Sequence, residues 1–358
     1  MTATAGPNPD GRLYLDHAAT TPMTAGARDA VALALHDWAN PSSPHAEGRA
    51  ARARLEAARA AVAAAYGWRH ELLFTSGASE ALAIGIGRAM RARRFVSAVE
   101  HDAALRAAGS APVLPVGADG VVDLAALADV GDALVAVQWC NSETGVKQPI
   151  AEIARIVHAQ GGVLLVDAAQ MPASAELADH ADLVALSAHK RGGPPGIGAL
   201  LVRDLALLSP SGGQERGYRP GTENLPGVLG YAAALAEPEP DHADLRACLD
   251  DAIRRSGGEV VADGAARHAA IGSYRMPGVA AAAQLIRFDM GGIAVSAGSA
   301  CASGSLKPSH VLRAMGWSEE ATREVVRVSF GRTTTRADIE RFVTAWRAVA
   351  KDARRVAA

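Results

Sequence analysis

The chain has 358 residues, 49% hydrophobic and 21% charged, with 36 Lys and Arg against 38 Asp and Glu, a formal charge of -2. That balance excludes any sequence-independent attraction to nucleic acid or to an anionic membrane, and the length allows a large core plus a smaller one. Three cysteines in a chain this long exclude a disulfide framework.

The opening "MTATAGPNPDGR" has no cationic segment followed by an apolar one, and no run approaches 18 apolar residues, so cytoplasmic residence is expected. From about residue 52, Ala/Leu/Arg-rich helical stretches alternate with short apolar runs: "ELLFTSG", "RFVSAV", "ALVAVQW", "GVLLVDAAQ", "DLVALSAHK" and "GALLVRD". This predicts an α/β fold with a mostly parallel sheet flanked by helices, whose ligands collect at the carboxyl ends of the strands. The chemistry-bearing residues fall at those ends.

In "FTSGASEALAIGIG" a strand, a Gly77 turn and a helix beginning near Ala78 and Ser79 offer backbone N–H groups and a hydroxyl to a phosphate. In "VEHDAAL" His101 follows a strand, placed to stack on an aromatic cofactor and move protons near neutral pH. In "GVLLVDAAQ" the strand leads to Asp167 and Gln170; a carboxylate there either caps the next helix or pairs with a cation. In "DLVALSAHKRGGPPGIGALLVR" an apolar strand ends at Ser187, and His189 and Lys190 stand beside a Gly/Pro loop that approaches a ligand closely. A lysine so placed is either a surface charge or a Schiff-base amine. Asp167 and Lys190 together suit pyridoxal 5'-phosphate, whose protonated pyridine nitrogen needs an acidic partner. No metal ligand set is expected.

Farther on, "EPEPD", Glu237 to Asp241, breaks a helical pattern. It is the expected boundary between a large cofactor-binding domain, 13–236, and a small C-terminal domain, 237–358 together with 1–12. Cys140 and Cys248 lie in apolar surroundings, but Cys301 in "VSAGSACASGSLKPSH" is set among Ser, Ala and Gly, in a loop rather than a core. Beyond it, "LKPSHVLRAMG" predicts a helix with Pro308 in its first turn and Gly316 at its end, and "TTTRADIERFVTAW" a helix capped by Thr335 and Asp338.

The motifs "YLDHAATTP", "NPSSPHAEGR", "FTSGASEA", "EHDA", "NSETGV", "VDAAQ", "SAHKRGGPPGIGAL", "GGQERGYRPGTEN" and "SAGSACASGSLKPSHVLRAMG" occur in this order between Tyr14 and Gly316. Together they resemble the NifS/IscS-type, group I, cysteine desulfurases of the class V aminotransferase family. The resemblance implies a pyridoxal phosphate-dependent fold of type I, with a seven-stranded, mostly parallel sheet and a smaller α+β domain. It also implies a homodimer that converts L-cysteine to L-alanine and passes the sulfur, as a Cys301 persulfide, to an acceptor protein, as in iron–sulfur cluster assembly.

By position, the resemblance makes Lys190 the cofactor's covalent anchor, Asp167 the partner of its pyridine nitrogen and Gln170 that of its ring hydroxyl. His101 stacks on the ring and shuttles protons, while Ala78, Ser79, Ser187 and His189 surround the phosphate. Thr222 in "RPGTEN" reaches the phosphate of the other subunit, and Arg327 in "VVRVSFGR" grips the substrate carboxylate, for which a guanidinium fork is well shaped.

The loop around Cys301 suits a sulfur carrier. From Ala297 to Lys307 an extended chain spans roughly 35 Å, enough for a swing on the order of 10 Å between cofactor and acceptor. A free thiol with a pKa of ~8.5 is only a few per cent thiolate at neutral pH, and His101 is the nearest proton acceptor.

The chain departs from the family pattern at one substrate-binding position. Where relatives have a second asparagine, Asn141 is followed by Ser142. Losing a hydrogen bond to a charged group costs about 1.5–3 kcal/mol, so weakened or altered substrate preference is expected. Two alternatives stay open at this level: a selenocysteine lyase or other β-eliminating class V enzyme, and a noncatalytic cofactor-binding scaffold in a sulfur-transfer complex.

Overall fold

The computed structural model describes residues 11–36, 39–298 and 308–357. Cys301 lies outside them. In chain order the strands are β1 (Leu13–Tyr14), β2 (Glu71–Thr75), β3 (Arg94–Ser97), β4 (Val113–Leu114), β5 (Leu134–Gln138) and β6 (Val163–Asp167). They continue with β7 (Leu183–Ser187), β8 (Gly198–Val202), β9 (Glu259–Val260), β10 (Ile271–Arg275), β11 (Ile293–Ala294) and β12 (Val325–Ser329).

Seven strands form one sheet in the order β2-β8-β7-β6-β5-β3-β4. All neighbours are parallel except at β8, which runs antiparallel to both β7 and β2. Every residue of β5, β6, β7 and β8 is buried. This is why these strands read as unbroken apolar runs: helices cover both faces, so neither side of the pleat needs to be polar. The six runs picked out in the sequence are six of these strands. The seventh, β4, is two residues long at the sheet edge and too short to give a pattern.

One close approach fixes the active end of the sheet. A Cβ on Gly198 would lie 2.3 Å from the Leu186 carbonyl oxygen and 2.6 Å from Cα of Gly77. Glycine at 198 therefore lets the turn after β2 lie directly against β8, near the end of β7. That contact brings the Ala78 helix start beside the loop that carries Lys190.

A second apolar cluster gathers Leu13, Leu15, Leu249, Tyr274, Phe288, Phe342 and Trp346. Around it lie the three-stranded sheet β12-β10-β9 and the β1–β11 pair. "EPEPD" falls between the helices Leu225–Leu235 and Ala243–Arg255. The helix Arg336–Ala357 begins as expected, with the Thr335 N–H donating to Asp338 Oδ2 at 2.8 Å and the Asp338 N–H to Thr335 Oγ1 at 3.3 Å. The helix after the Cys301 segment starts later than expected, at His310. Ser309 is its cap, accepting from the Leu312 N–H at 3.0 Å, so Pro308 precedes the cap instead of sitting in the first turn. Among the described residues, no helix is long and apolar enough to cross a membrane.

Candidate active site

The carboxyl ends of β2, β3, β5, β6 and β7 open into a cavity of about 610 Å³, closed from the second sheet by Arg327 on β12. Of the residues singled out in the sequence, Ala78, Ser79, His101, Asn141, Ser142 and Asp167 line it, as do Gln170, Ser187, His189, Lys190 and Arg327. Thr222 is exposed and is not among the lining residues. The segment that carries Cys301 is bordered by Gly298 and His310, and both face the cavity.

Lys190 follows the buried β7. Its Nζ donates to the carbonyls of Ala18 and Ala19, the latter at 2.9 Å. Burial lowers its pKa to about 8, and the Arg327 guanidinium adds to the effect, against Asp16 and Asp167. The amine is therefore far closer to its neutral, nucleophilic form than a surface lysine.

Asp167 closes β6 and is buried. Its Oδ1 accepts from the Ala169 N–H at 2.9 Å. Burial raises its pKa, partly opposed by that hydrogen bond and by His101 and Lys190. A carboxylate in this setting is best stabilised by a cation delivered into the cavity. Gln170 donates through Nε2 to the Ala18 carbonyl at 3.0 Å, and His101 Nδ1 accepts from the Ala103 N–H at 3.1 Å. That contact leaves the His101 ring hydrogen on Nε2. His189 Nδ1 contacts Thr20 Oγ1 at 3.1 Å; burial, then Lys190 and Arg191, lower its pKa to about 4, so the ring is neutral.

The helix Ala78–Gly87 starts with no side-chain cap, which leaves its first N–H groups for an anion. An uncapped helix start, a buried carboxylate that favours a cation and an amine with a lowered pKa are the three polar ends of pyridoxal phosphate. The residues present fit that cofactor.

Arg327 is 7% exposed. Its Nη2 donates to Asp16 Oδ1 at 2.7 Å and its Nη1 to the Ser142 carbonyl at 2.9 Å, while its Nε has no partner. The Asn141 oxygen accepts from the Glu143 N–H, the Thr144 N–H and the Thr144 hydroxyl at 2.9, 2.8 and 3.1 Å, and its amide donates to the Val99 carbonyl at 3.0 Å. Asn141 thus shapes the turn, and little of it is left to stand in for the amide absent at Ser142.

Three residues of the site escaped sequence reasoning. Asp16 was visible only as part of "YLDHAATTP". Glu100 is fully buried; Oε1 accepts from the Gln138 N–H at 2.7 Å, Oε2 has no partner, and burial raises its pKa well above the usual range. His310 Nε2 contacts the Glu100 carbonyl at 2.9 Å. Cys140 also faces the cavity, but burial pushes its thiol up to about 12, which makes it inert.

The family model for aminotransferase class-V matches residues 13–342. A cysteine desulfurase of Cereibacter sphaeroides is 37% identical over 93% of this chain and 94% of its own length. An IscS-like cysteine desulfurase of Mycobacterium tuberculosis is 37% identical over 91% of this chain and 93% of its own. Among solved structures, a NifS-like protein from Rickettsia africae superposes with a TM-score of 0.87 at 29% identity, covering 95% of this chain and 99% of that one.

Proposed function

The chain belongs to the aminotransferase class-V family, and from that premise we propose that it is a pyridoxal phosphate-dependent cysteine desulfurase. One observation carries the choice within the family: Gly298 and His310, at the two ends of the segment bearing Cys301, line the same cavity as Lys190, Asp167 and Arg327.

Lys190 would hold the cofactor covalently, with Asp167 at its ring nitrogen and Gln170 at its ring hydroxyl. The open helix start at Ala78 and Ser79, with Ser187 and His189, would hold its phosphate. When bound, the cofactor supplies an electron sink for bonds at the amino acid's Cα. Arg327, held by Asp16, would fix the substrate carboxylate through the guanidinium hydrogens that Asp16 and Ser142 do not use. The Lys190 amine would take the Cα proton. His101, whose Nδ1 is taken up by the Ala103 N–H, would pass protons near the ring through Nε2. The Cys301 thiolate attacks the substrate sulfur, so that an S–S bond forms as the C–S bond breaks. L-Cysteine and a protein thiol become L-alanine and a protein persulfide, with no external oxidant.

The working unit in this reading is a cytoplasmic homodimer, in which exposed Thr222 reaches the partner's phosphate, and the persulfide is handed to an acceptor protein. The test is alanine and persulfide production from L-cysteine by the cofactor-loaded protein, beside Cys301→Ala and Lys190→Ala, with L-selenocysteine as second substrate. Desulfuration requires that wild type form both products and both variants fail on L-cysteine. Equal alanine formation by Cys301→Ala would instead make the protein a lyase.

A further inference from the structure

Behind Lys190 lies a second cavity, of about 410 Å³. It shares Ala18, Gln170 and Lys190 with the first, and its far wall comes from segments 239–242, 267–271 and 329–332. Five cationic side chains border it, Lys147, Lys190, Arg191, Arg267 and Arg332, against the carboxylates of Glu239 and Asp241.

Both carboxylates are committed. Glu239 accepts from Arg191 Nη1 at 2.7 Å and lies 3.6 Å from Arg332 Nη2, and Asp241 Oδ1 accepts from the Ala243 N–H at 2.9 Å. The cations are not all satisfied in return. Arg267 pairs through Nη2 with Asp250 at 2.6 Å, but its Nη1 has no acceptor, and neither has Arg191 Nε. These two side chains are only 10% and 9% exposed. Lys147 has no ion-pair partner among the described residues.

Neutral donors complete the wall. His268 Nδ1 accepts from the Ala270 N–H at 3.0 Å, which puts the ring hydrogen on Nε2. Burial first, then Arg191, Arg246, His242 and Lys147, hold the His268 pKa down to about 3, as expected where the local potential is positive. Buried N–H groups without acceptors are rare in folded proteins, and those of Arg191 and Arg267 leave the wall of the cavity with more positive charge than its carboxylates offset.

We propose that this cavity binds a small oxyanion, a phosphate or carboxylate group, drawn in by the excess positive charge of Lys147, Arg191, Arg267 and Arg332, with the Lys147 ammonium and His268 Nε2 as its donors. A positively lined, partly enclosed cavity strengthens such contacts relative to open water. The site is separate from the phosphate cradle at Ala78, and Lys190 is the wall between them.

The test is calorimetric titration of inorganic phosphate, and separately of acetate, into the cofactor-loaded protein at low ionic strength, with the cradle at Ala78 already filled. Cofactor loading is read independently from visible absorbance, so a failure to load is not mistaken for a failure to bind the anion. The expected result is one saturable site, weakened about tenfold or more in Lys147→Ala and lost in Arg191→Gln, with the thermal midpoint of wild type rising with anion concentration. Tighter phosphate than acetate assigns the ligand to a phosphate group, and the reverse order to a carboxylate. The proposal is overturned if neither anion saturates, or if Lys147→Ala, a half-buried position whose change leaves the packing intact, binds both as wild type does.

Discussion

Arg327 and Asp16 are 311 residues apart in sequence and 2.7 Å apart in the folded chain, joined Nη2 to Oδ1 at the edge of the cofactor cavity. In the proposed reaction, this pair would hold the guanidinium where a substrate carboxylate is met. In Asp16→Asn the ion pair becomes a hydrogen bond from the charged guanidinium to a neutral amide oxygen, and we expect kcat/KM for L-cysteine to fall about tenfold, mostly through KM, with cofactor affinity unchanged. Steady-state kinetics beside a cofactor titration checks this; an equal loss of cofactor affinity would refute it.

Lys190 sets a pH dependence. With its pKa brought down to about 8, the amine is neutral above that pH, so cofactor uptake by the apo protein should accelerate about tenfold per pH unit up to 8 and then level off. An unperturbed lysine would still be accelerating at pH 10. The stability sign follows from the lowered value: between about 8 and the ordinary lysine value of 10.5 the unfolded chain holds a proton that the folded chain lacks, so apo stability rises with pH across that window. Stopped-flow absorbance and denaturant unfolding read the two effects separately.

Asp167→Asn separates function from stability. The amide retains the acceptor for the Ala169 N–H but loses the charge, and we expect activity to drop at least about a hundredfold. The apo protein should be no less stable at pH 7, because burial raises the carboxyl pKa and an ionised group there costs free energy. A clear drop in the apo midpoint would show that the carboxylate is structural.

Ser309 roots the segment that carries Cys301. Its hydroxyl donates to Glu143 Oε2 at 2.6 Å and accepts from the Leu312 N–H at 3.0 Å, both in the buried interior. Ser309→Ala removes a helix cap and strands a buried carboxylate, for an expected cost of about 2 kcal/mol by urea unfolding. Ser309→Thr, which keeps both contacts, should cost less than half of that.

Ser142→Asn tests the one departure from the family pattern. If the missing amide limits substrate binding, restoring it should raise kcat/KM by about ten- to a hundredfold, the worth of one hydrogen bond to a charged group. No gain would mean that the turn built around Asn141 already supplies what the reaction needs.

The site was legible in the sequence wherever a motif sits at a strand end. Lys190, Asp167 and Ser79 each follow an apolar run, and the parallel sheet delivers all three to one edge. What stayed hidden depends on contacts across long separations. Asp16 and Glu100 look like ordinary acids in the sequence, and only the docking of β12 and the end of β5 against them gives them work. Pro308 stands just before the cap instead of in the first turn because Ser309, the next residue, has the better capping chemistry and a buried partner in Glu143. The basic cavity behind Lys190 has no motif at all, since its cations come from four separate stretches.

The pairing of β1 with β11, Tyr14 opposite Ala294, carries a consequence for how the chain is made. Leu13 and Leu15 leave the ribosome early, yet their partners in the second core, such as Val326, Phe342 and Trp346, are synthesised near the end. The nascent large sheet can close while these leucines still wait exposed, a window in which chaperones and proteases compete. Asp16 waits with them for Arg327. The Arg327–Asp16 pair is therefore among the last parts of the molecule to exist, and in the proposed reaction a nascent chain stalled before β12 would have the floor of its cavity but no grip on a substrate.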